Sequence, residues 1–216
     1  MASVPRAIAR LRLFVGLAAL SLAPALIAAP AARFTHFSVE QGLSQSTVNA
    51  ILQDHLGFMW FGTEEGLDRF DGYTLVTIKR KARDPHSLPS DHISALCEDR
   101  AHRIWIGTDN GLCFYDRSTK KIHSIPEIRA KIASLVEDAD GTLWIATDGA
   151  GLYARNPATG VFTQYLPDPA QPDRLASASL STLLVDGQGR LWIGTRSRGL
   201  DRFDRATGRF IPHRHD

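Results

Sequence analysis

Apolar positions in this chain gather into short runs, each of which leads into an aspartate. Val48 to Leu52, Ile93 to Cys97, Ile132 to Val136 and Leu180 to Val185 run on to Asp54, Asp99, Asp138 and Asp186. Short apolar runs bounded by turn formers predict strands. The stretches Asp54 to Gly57, Asp138 to Gly141 and Asp186 to Gly189 read as type I turns, with aspartate accepting backbone bonds at the first position and glycine taking the last. In the second unit His102 stands where the others have glycine, so that turn is expected to be strained or differently shaped.

A second strand follows each turn and carries Trp60, Trp105, Trp144 or Trp192. Then come Gly66, Gly111, Gly151 and Gly199, which can take positive φ and close a tight hairpin. Third strands are expected over Leu67 to Phe70, Leu112 to Tyr115, Leu152 to Ala154 and Leu200 to Phe203. Fourth strands follow the turns that open at Asp71, Asp116, Asn156 and Asp204. Beyond the first residues of the chain, no segment sustains the i, i+3, i+4 spacing of an amphipathic helix.

The tryptophans recur at steps of 45, 39 and 48 residues, each with an aspartate six residues before it. Trp60-Phe-Gly-Thr63 and Trp105-Ile-Gly-Thr108 lead to Gly66-Leu67 and Gly111-Leu112, while Trp144-Ile-Ala-Thr147 and Trp192-Ile-Gly-Thr195 lead to Gly151-Leu152 and Gly199-Leu200 with one residue more. Leu143-Trp144-Ile145 and Leu191-Trp192-Ile193 are apolar at consecutive positions, so both faces of these sheets require burial. Similar sheets stacked face to face provide it, which predicts an all-β protein of four four-stranded antiparallel blades, part of a β-propeller of the larger, seven-bladed type.

Composition adds three points. Arg6, Arg10 and Arg12 precede an apolar stretch from Leu13 to Ala29 and a small-residue site at Ala29-Pro30-Ala31, so residues 1–31 read as a secretory signal peptide and 32–216 as the partial propeller, in the periplasm or outside the cell. Setting those three arginines aside leaves 22 Lys+Arg against 23 Asp+Glu, with no basic face for a phosphate backbone, so nucleic acid is not expected as a partner. Cys97 and Cys113 fall on the first and third strands of one sheet, two strand spacings or roughly 9.5 Å apart, so they are expected as buried free thiols rather than a disulfide.

The repeated sentence of aspartate, turn, Leu/Met-Trp-Ile-Gly-Thr and Gly-Leu resembles the two-component regulator propeller repeat. Phe34 to Phe37, Glu40-Gln-Gly-Leu-Ser44 and Gly57-Phe-Met-Trp-Phe-Gly-Thr63 are similar to the opening of that family's sensor regions. The resemblance covers Arg33 to Asp216. It implies the periplasmic sensor region of a hybrid histidine kinase or a diguanylate cyclase receptor, with paired seven-bladed propellers before a transmembrane helix and an output domain. Four blades are fewer than that, so the chain reads as truncated, its membrane link carried only by a further C-terminal segment. The resemblance also makes Phe34 to Phe37 a strand that completes the last blade of a ring.

Candidate chemistry is confined to loops. The connections between second and third strands share one end of the blades with the linkers Lys81 to Asp91 and Pro167 to Ser179, and variable loops on a rigid scaffold are where binding sits. Glu64, Asp109, Asp148, Arg196 and Arg198 are the candidate ligand contacts: the arginines suit an anionic group, the aspartates a sugar hydroxyl or a cation. As solvated turn residues the same five need no ligand. Asp54, Trp60, Gly66, Asp99, Trp105, Gly111, Asp138, Trp144, Gly151, Asp186, Trp192 and Gly199 are the repeat's structural positions, the tryptophans as core and the aspartates as turn caps.

No metal spacing joins the histidines to cysteines or a carboxylate, and no cofactor is implied. The expected partners are an unidentified small molecule or saccharide and further blades or a second copy of the chain. The competing class is a secreted propeller enzyme resembling a streptogramin lyase. Such an enzyme needs an acid/base pair converging on the central face, and the loops show no histidine and carboxylate couple at matching positions. The chain therefore reads as a sensor rather than an enzyme. An open stack of four blades exposes two apolar faces and is expected to self-associate.

Overall fold

A computed structural model describes residues 36–213 of the chain. Sixteen strands form four antiparallel meanders. The first blade contains β1 (Val48–Gln53), β2 (Met59–Thr63), β3 (Leu67–Phe70) and β4 (Leu75–Ile78); the second, β5 (Ile93–Glu98), β6 (Ile104–Thr108), β7 (Gly111–Asp116) and β8 (Lys121–Ser124). The third blade contains β9 (Lys131–Glu137), β10 (Leu143–Asp148), β11 (Leu152–Arg155) and β12 (Phe162–Tyr165); the fourth, β13 (Leu180–Val185), β14 (Leu191–Thr195), β15 (Leu200–Asp204) and β16 (Arg209–His213). The only helical turn among the described residues is a 3-10 turn at Val39–Gln41.

The cores lie between blades rather than within them. Trp60, Leu67 and Leu88 pack with Ile93, Ile106, Cys113 and Tyr115 between the first and second blades. Trp105, Leu112 and Ile128 pack with Ile132 and Ile145 between the second and third, and Trp144, Leu152 and Leu175 with Leu180, Phe203 and Phe210 between the third and fourth. First strands of successive blades adjoin, β1 on β5, β5 on β9 and β9 on β13. This is the face-to-face stacking that consecutive apolar positions require.

Close approach sets one residue type. A Cβ on Gly62 would lie 2.6 Å from Ile93 Cγ2, and one on Gly107 would lie 2.5 Å from Ile132 Cγ2, so glycine lets the next blade's first strand close in. Beside this contact each first strand carries a β-bulge, at Asn49, Ser94, Ala133 and Ser181. Two bulge side chains reach across to the next blade: Asn49 Nδ2 donates to Ile93 O at 3.1 Å and Ser94 Oγ to Ile132 O at 2.6 Å.

Gly66, Gly111, Gly151 and Gly199 all have positive φ. His102 also sits in the left-handed region at φ 60°, yet its N–H donates to Asp99 O at 2.8 Å, as Gly57 N–H does to Asp54 O at 2.8 Å. The second turn is therefore strained, at about 1 kcal/mol for a residue with a Cβ, and keeps the shape of the others.

Two expectations are corrected. His36 and Phe37 form no strand; Phe34 lies outside the described residues, as do residues 1–31. Ser38 opens the Val39–Gln41 turn instead, accepting from Glu40 N while the Gln41 side chain accepts from Ser38 N, and the Phe37 ring lies 4.8 Å from that of Phe70. Cys97 and Cys113 are free, but only Cys113 is fully buried. Cys97 is half-buried on the edge strand β5, where burial and nearby carboxylates push its thiol up to about 11.

Replacing Gly107 with alanine forces a Cβ against the branched Ile132 side chain, whose Cβ would be only 2.8 Å away. We expect a loss of roughly 1–3 kcal/mol, read as a lower urea midpoint at unchanged slope.

Candidate ligand-binding face

In an up-and-down blade the β1–β2 and β3–β4 turns share one end, and the β2–β3 loop and the inter-blade linkers share the other. The first end is the aspartate end. Asp54 Oδ1 accepts from Leu56 N and Phe58 N, both at 3.0 Å, and Asp99, Asp138 and Asp186 repeat this two residues and four residues on. The other carboxylate oxygen accepts the indole N–H of the tryptophan six residues later, at 2.6, 2.7, 2.6 and 2.8 Å in the four blades. Capping of the turn, expected from the sequence, is thus half of what each aspartate does.

Each of the four aspartates also pairs with one guanidinium, supplied from either of two places. Arg117 and Arg205, each in the β3–β4-type turn of the following blade, reach Asp54 at 2.6 Å and Asp138 at 2.5 Å. Arg103 and Arg190, four residues after their own aspartates, reach Asp99 at 2.7 Å and Asp186 at 2.6 Å. Where the third blade has Pro157 instead of an arginine, the second supplies Arg103 itself. All four guanidinium carbons lie 5.4–5.9 Å from the tryptophan ring centres. Burial pushes Asp54 and Asp99 up; the indole N–H, the backbone N–H groups and the guanidinium outweigh it, leaving both below the ordinary aspartate value.

The other end is built from threonines. Thr63, Thr108, Thr147 and Thr195 donate their hydroxyls to the carbonyls of Gly66, Gly111, Gly151 and Gly199 at 2.6–2.9 Å and accept a loop N–H in return. Buried Asp68 and Asp201, at the second position of β3 and β15, tie down the incoming linkers. Ser44 donates its N–H and hydroxyl to Asp68 Oδ2 at 2.9 and 2.7 Å, and Ala176 N donates to Asp201 Oδ2 at 2.7 Å. The identical runs Leu67-Asp-Arg-Phe-Asp71 and Leu200-Asp-Arg-Phe-Asp204 are the signal that sequence reading passed over.

On this frame the candidate contacts are held by neighbours. Gln45 Nε2 donates to Glu64 Oε2 at 3.4 Å. Asp109 sits between His92 Nδ1 at 2.7 Å and Lys131 Nζ at 2.9 Å, and Asp148 lies 3.1 Å from Arg196 Nε. Arg198 borders a cleft of about 630 Å³ whose opposite wall is the linker Pro167 to Ala178, with Arg174 and Asp168 on it. Glu64 in the first blade is not part of this cleft; Arg198 is. The His92–Asp109 pair is a histidine and carboxylate couple at one blade; Thr47, Ala130 and Ser179 precede the first strands of the others, so it does not recur at matching positions. His92 comes from the linker before β5, and Asp109 N donates back to His92 O at 3.3 Å, so the ladder's end brings together two residues that no loop motif links.

The two component regulator propeller family matches residues 42–65, 87–110, 128–149 and 174–197, one stretch per blade from linker through tryptophan strand to loop. Histidine kinase P4 of Formosa agariphila is 42% identical over 55 residues, which are 26% of this chain and 4% of that protein. The extracellular domain of a hybrid two component system from B. thetaiotaomicron superposes with a TM-score of 0.74 at 28% identity, over 84% of this chain and 26% of its own. The chain thus spans about a quarter of that solved domain. Virginiamycin B lyase from Staphylococcus aureus aligns over 80% of this chain and 57% of its own with a TM-score of 0.61, and at 14% identity shares the fold alone.

Replacing Arg205 with alanine strips the buried Asp138 carboxylate of its cation. Allowing for the exposure of Arg205, a loss of roughly 1–3 kcal/mol is expected. Adding Thr142→Arg, the position that Arg103 and Arg190 hold in their own blades, should recover most of it in urea titrations. Because Asp54 and Asp99 are held below their unfolded value, they add stability above the ordinary aspartate range and lose it as pH falls through their lowered values. Unfolding followed against pH should therefore set in below about pH 4.

Proposed function

This chain belongs to the two-component regulator propeller family, and we propose that its blades are part of the extracytoplasmic sensing region of a bacterial signalling receptor that binds a ligand at the loop end. The observation that carries the reading is the likeness to the extracellular domain of a hybrid two component system across 84% of the chain, joined to a family match in every blade. The signal peptide read at residues 1–31 agrees with export and lies outside the described residues. The lyase likeness is one of fold and supports no reaction here.

The loop end suits a polyhydroxylated or anionic ligand such as an acidic saccharide. Arg198 and Arg174 border one cleft, while the Asp148–Arg196 and Asp109–Lys131 pairs present donors and acceptors already fixed in place. Pre-positioned polar groups lose little freedom on binding. Transmission would then follow from a ligand favouring one arrangement of propellers over another.

Burial argues that further blades complete the array. Leu67, Leu112 and Leu152 are 0%, 1% and 0% exposed, whereas the equivalent Leu200 is 45% exposed. Trp192 and Thr195 are likewise more open than their buried counterparts in the other blades. The fourth blade thus shows a face that in every earlier blade is covered by the next, and the occupant that fits it is another blade of this repeat.

The test begins with the intact mass of the native gene product isolated from the envelope. A mass well above that of the cleaved chain, with an output domain among its peptides, is expected; a mass equal to the cleaved chain overturns the receptor reading. For the loop end, titration of the native protein with neutral and acidic oligosaccharides should give binding that Arg198→Ala weakens about tenfold, the loss of one charge-assisted contact. Binding unchanged by that substitution excludes this cleft.

A further inference from the structure

At the aspartate end three side chains meet between the first and second blades, one of them 43 residues from the next and the other two four residues apart. His55 follows Asp54 in the first blade's turn; Glu98 ends β5 and His102 lies in the second blade's turn. Glu98 Oε1 is 2.5 Å from His55 Nδ1 and 3.4 Å from His102 Nδ1, and the ligand atoms of all three residues lie within 4.8 Å of one another. The two imidazoles stack with centres 3.6 Å apart.

We propose that His55, Glu98 and His102 form a divalent transition-metal site of the zinc type that joins the first blade to the second. Two imidazole nitrogens and one carboxylate oxygen are a donor set that zinc accepts, with water completing the tetrahedron. A tetrahedral ion at about 2.1 Å from each ligand holds them about 3.4 Å apart. His102 Nδ1 and Glu98 Oε1 already have that spacing at 3.4 Å. Closure needs the half-exposed rings to turn out of their stack and His55 Nδ1 to withdraw by about 1 Å.

The surroundings hold the ligands in place. Glu98 Oε2 accepts the backbone N–H of His55 at 2.8 Å, which leaves Oε1 facing both rings. Glu137 accepts Arg100 N in the same way at the next interface, at 2.9 Å, while Val185 holds this position at the third. Arg117 lies 3.5 Å from Glu98 Oε1, but its short contact is to Asp54 at 2.6 Å, and its Nε donates to His102 O at 3.1 Å, fixing the turn that carries the second imidazole. Turn capping explains Glu98. It does not explain why His102 stands in the left-handed region where Gly57, Gly141 and Gly189 serve in the other blades.

That departure supplies the test. His102→Gly restores the repeat's own residue, relieves the strained φ and removes one ligand, so the variant should fold at least as stably as the parent in the absence of metal. The full chain, stripped with a chelator, would be titrated calorimetrically with zinc chloride alone, and its thermal midpoint followed with and without zinc. One zinc per chain and a raised midpoint are expected. His102→Gly and His55→Ala should each weaken uptake by at least about tenfold, as loss of one of three ligands requires. No uptake, or uptake that both variants retain, overturns the site. The outcome is independent of whether the loop end binds a saccharide.

Discussion

An indole ring buried between two sheets takes a polar N–H in with it, and everything regular about this molecule follows from how that N–H is satisfied. Each tryptophan donates to an aspartate whose second oxygen gathers the backbone N–H groups of its own turn. The turn is thereby locked to the strand it precedes, and the ring is locked to one orientation. A carboxylate so placed is charged and nearly dry, and the guanidinium above the ring balances it. Packing, turn shape and electrostatics are one device, repeated four times.

The same device makes the blade an incomplete object. A single four-stranded sheet, apolar on both sides, has no core of its own; its core is assembled with the neighbours, as in other repeat proteins. The contact between Gly107 and Ile132 sets how near two sheets come, and the bulge bond from Ser94 sets their relative height. What varies is then pushed outward to the loops, where Asp109, Asp148, Arg196 and Arg198 stand on a base of threonine hydroxyls and the buried Asp68 and Asp201.

The architecture was legible because its punctuation is local. Apolar runs, aspartate turns and hairpin glycines marked all sixteen strands, with ends displaced by a residue or so where polar residues such as Gln53, Glu98 and Lys131 extend a ladder. The bond from aspartate to tryptophan leaves only a constant interval of six residues in the sequence, and an aspartate before a turn accounts for that interval by turn chemistry alone. The linker residues Leu43, Leu88, Ile128 and Leu175, all buried, belong to the repeat as well, but their surroundings differ too much to align by eye. His55 and Glu98 were beyond reach, since 43 residues separate them and nothing in either neighbourhood announces the other. The pairing of His92 with Asp109 was hidden for a related reason, one residue coming from a linker and the other from a strand end.

The two sources of the arginine have a bearing on how such arrays change over generations. Either position can neutralise the aspartate, and in the first three blades, where both positions are among the described residues, only one of them does so. A drifting sequence can therefore pass the duty from one blade to its neighbour and back, provided the gain comes before the loss. The effect of a substitution at either position is not a property of that position. It depends on what its counterpart holds at the time, and two relatives of this protein can give opposite answers to the same change.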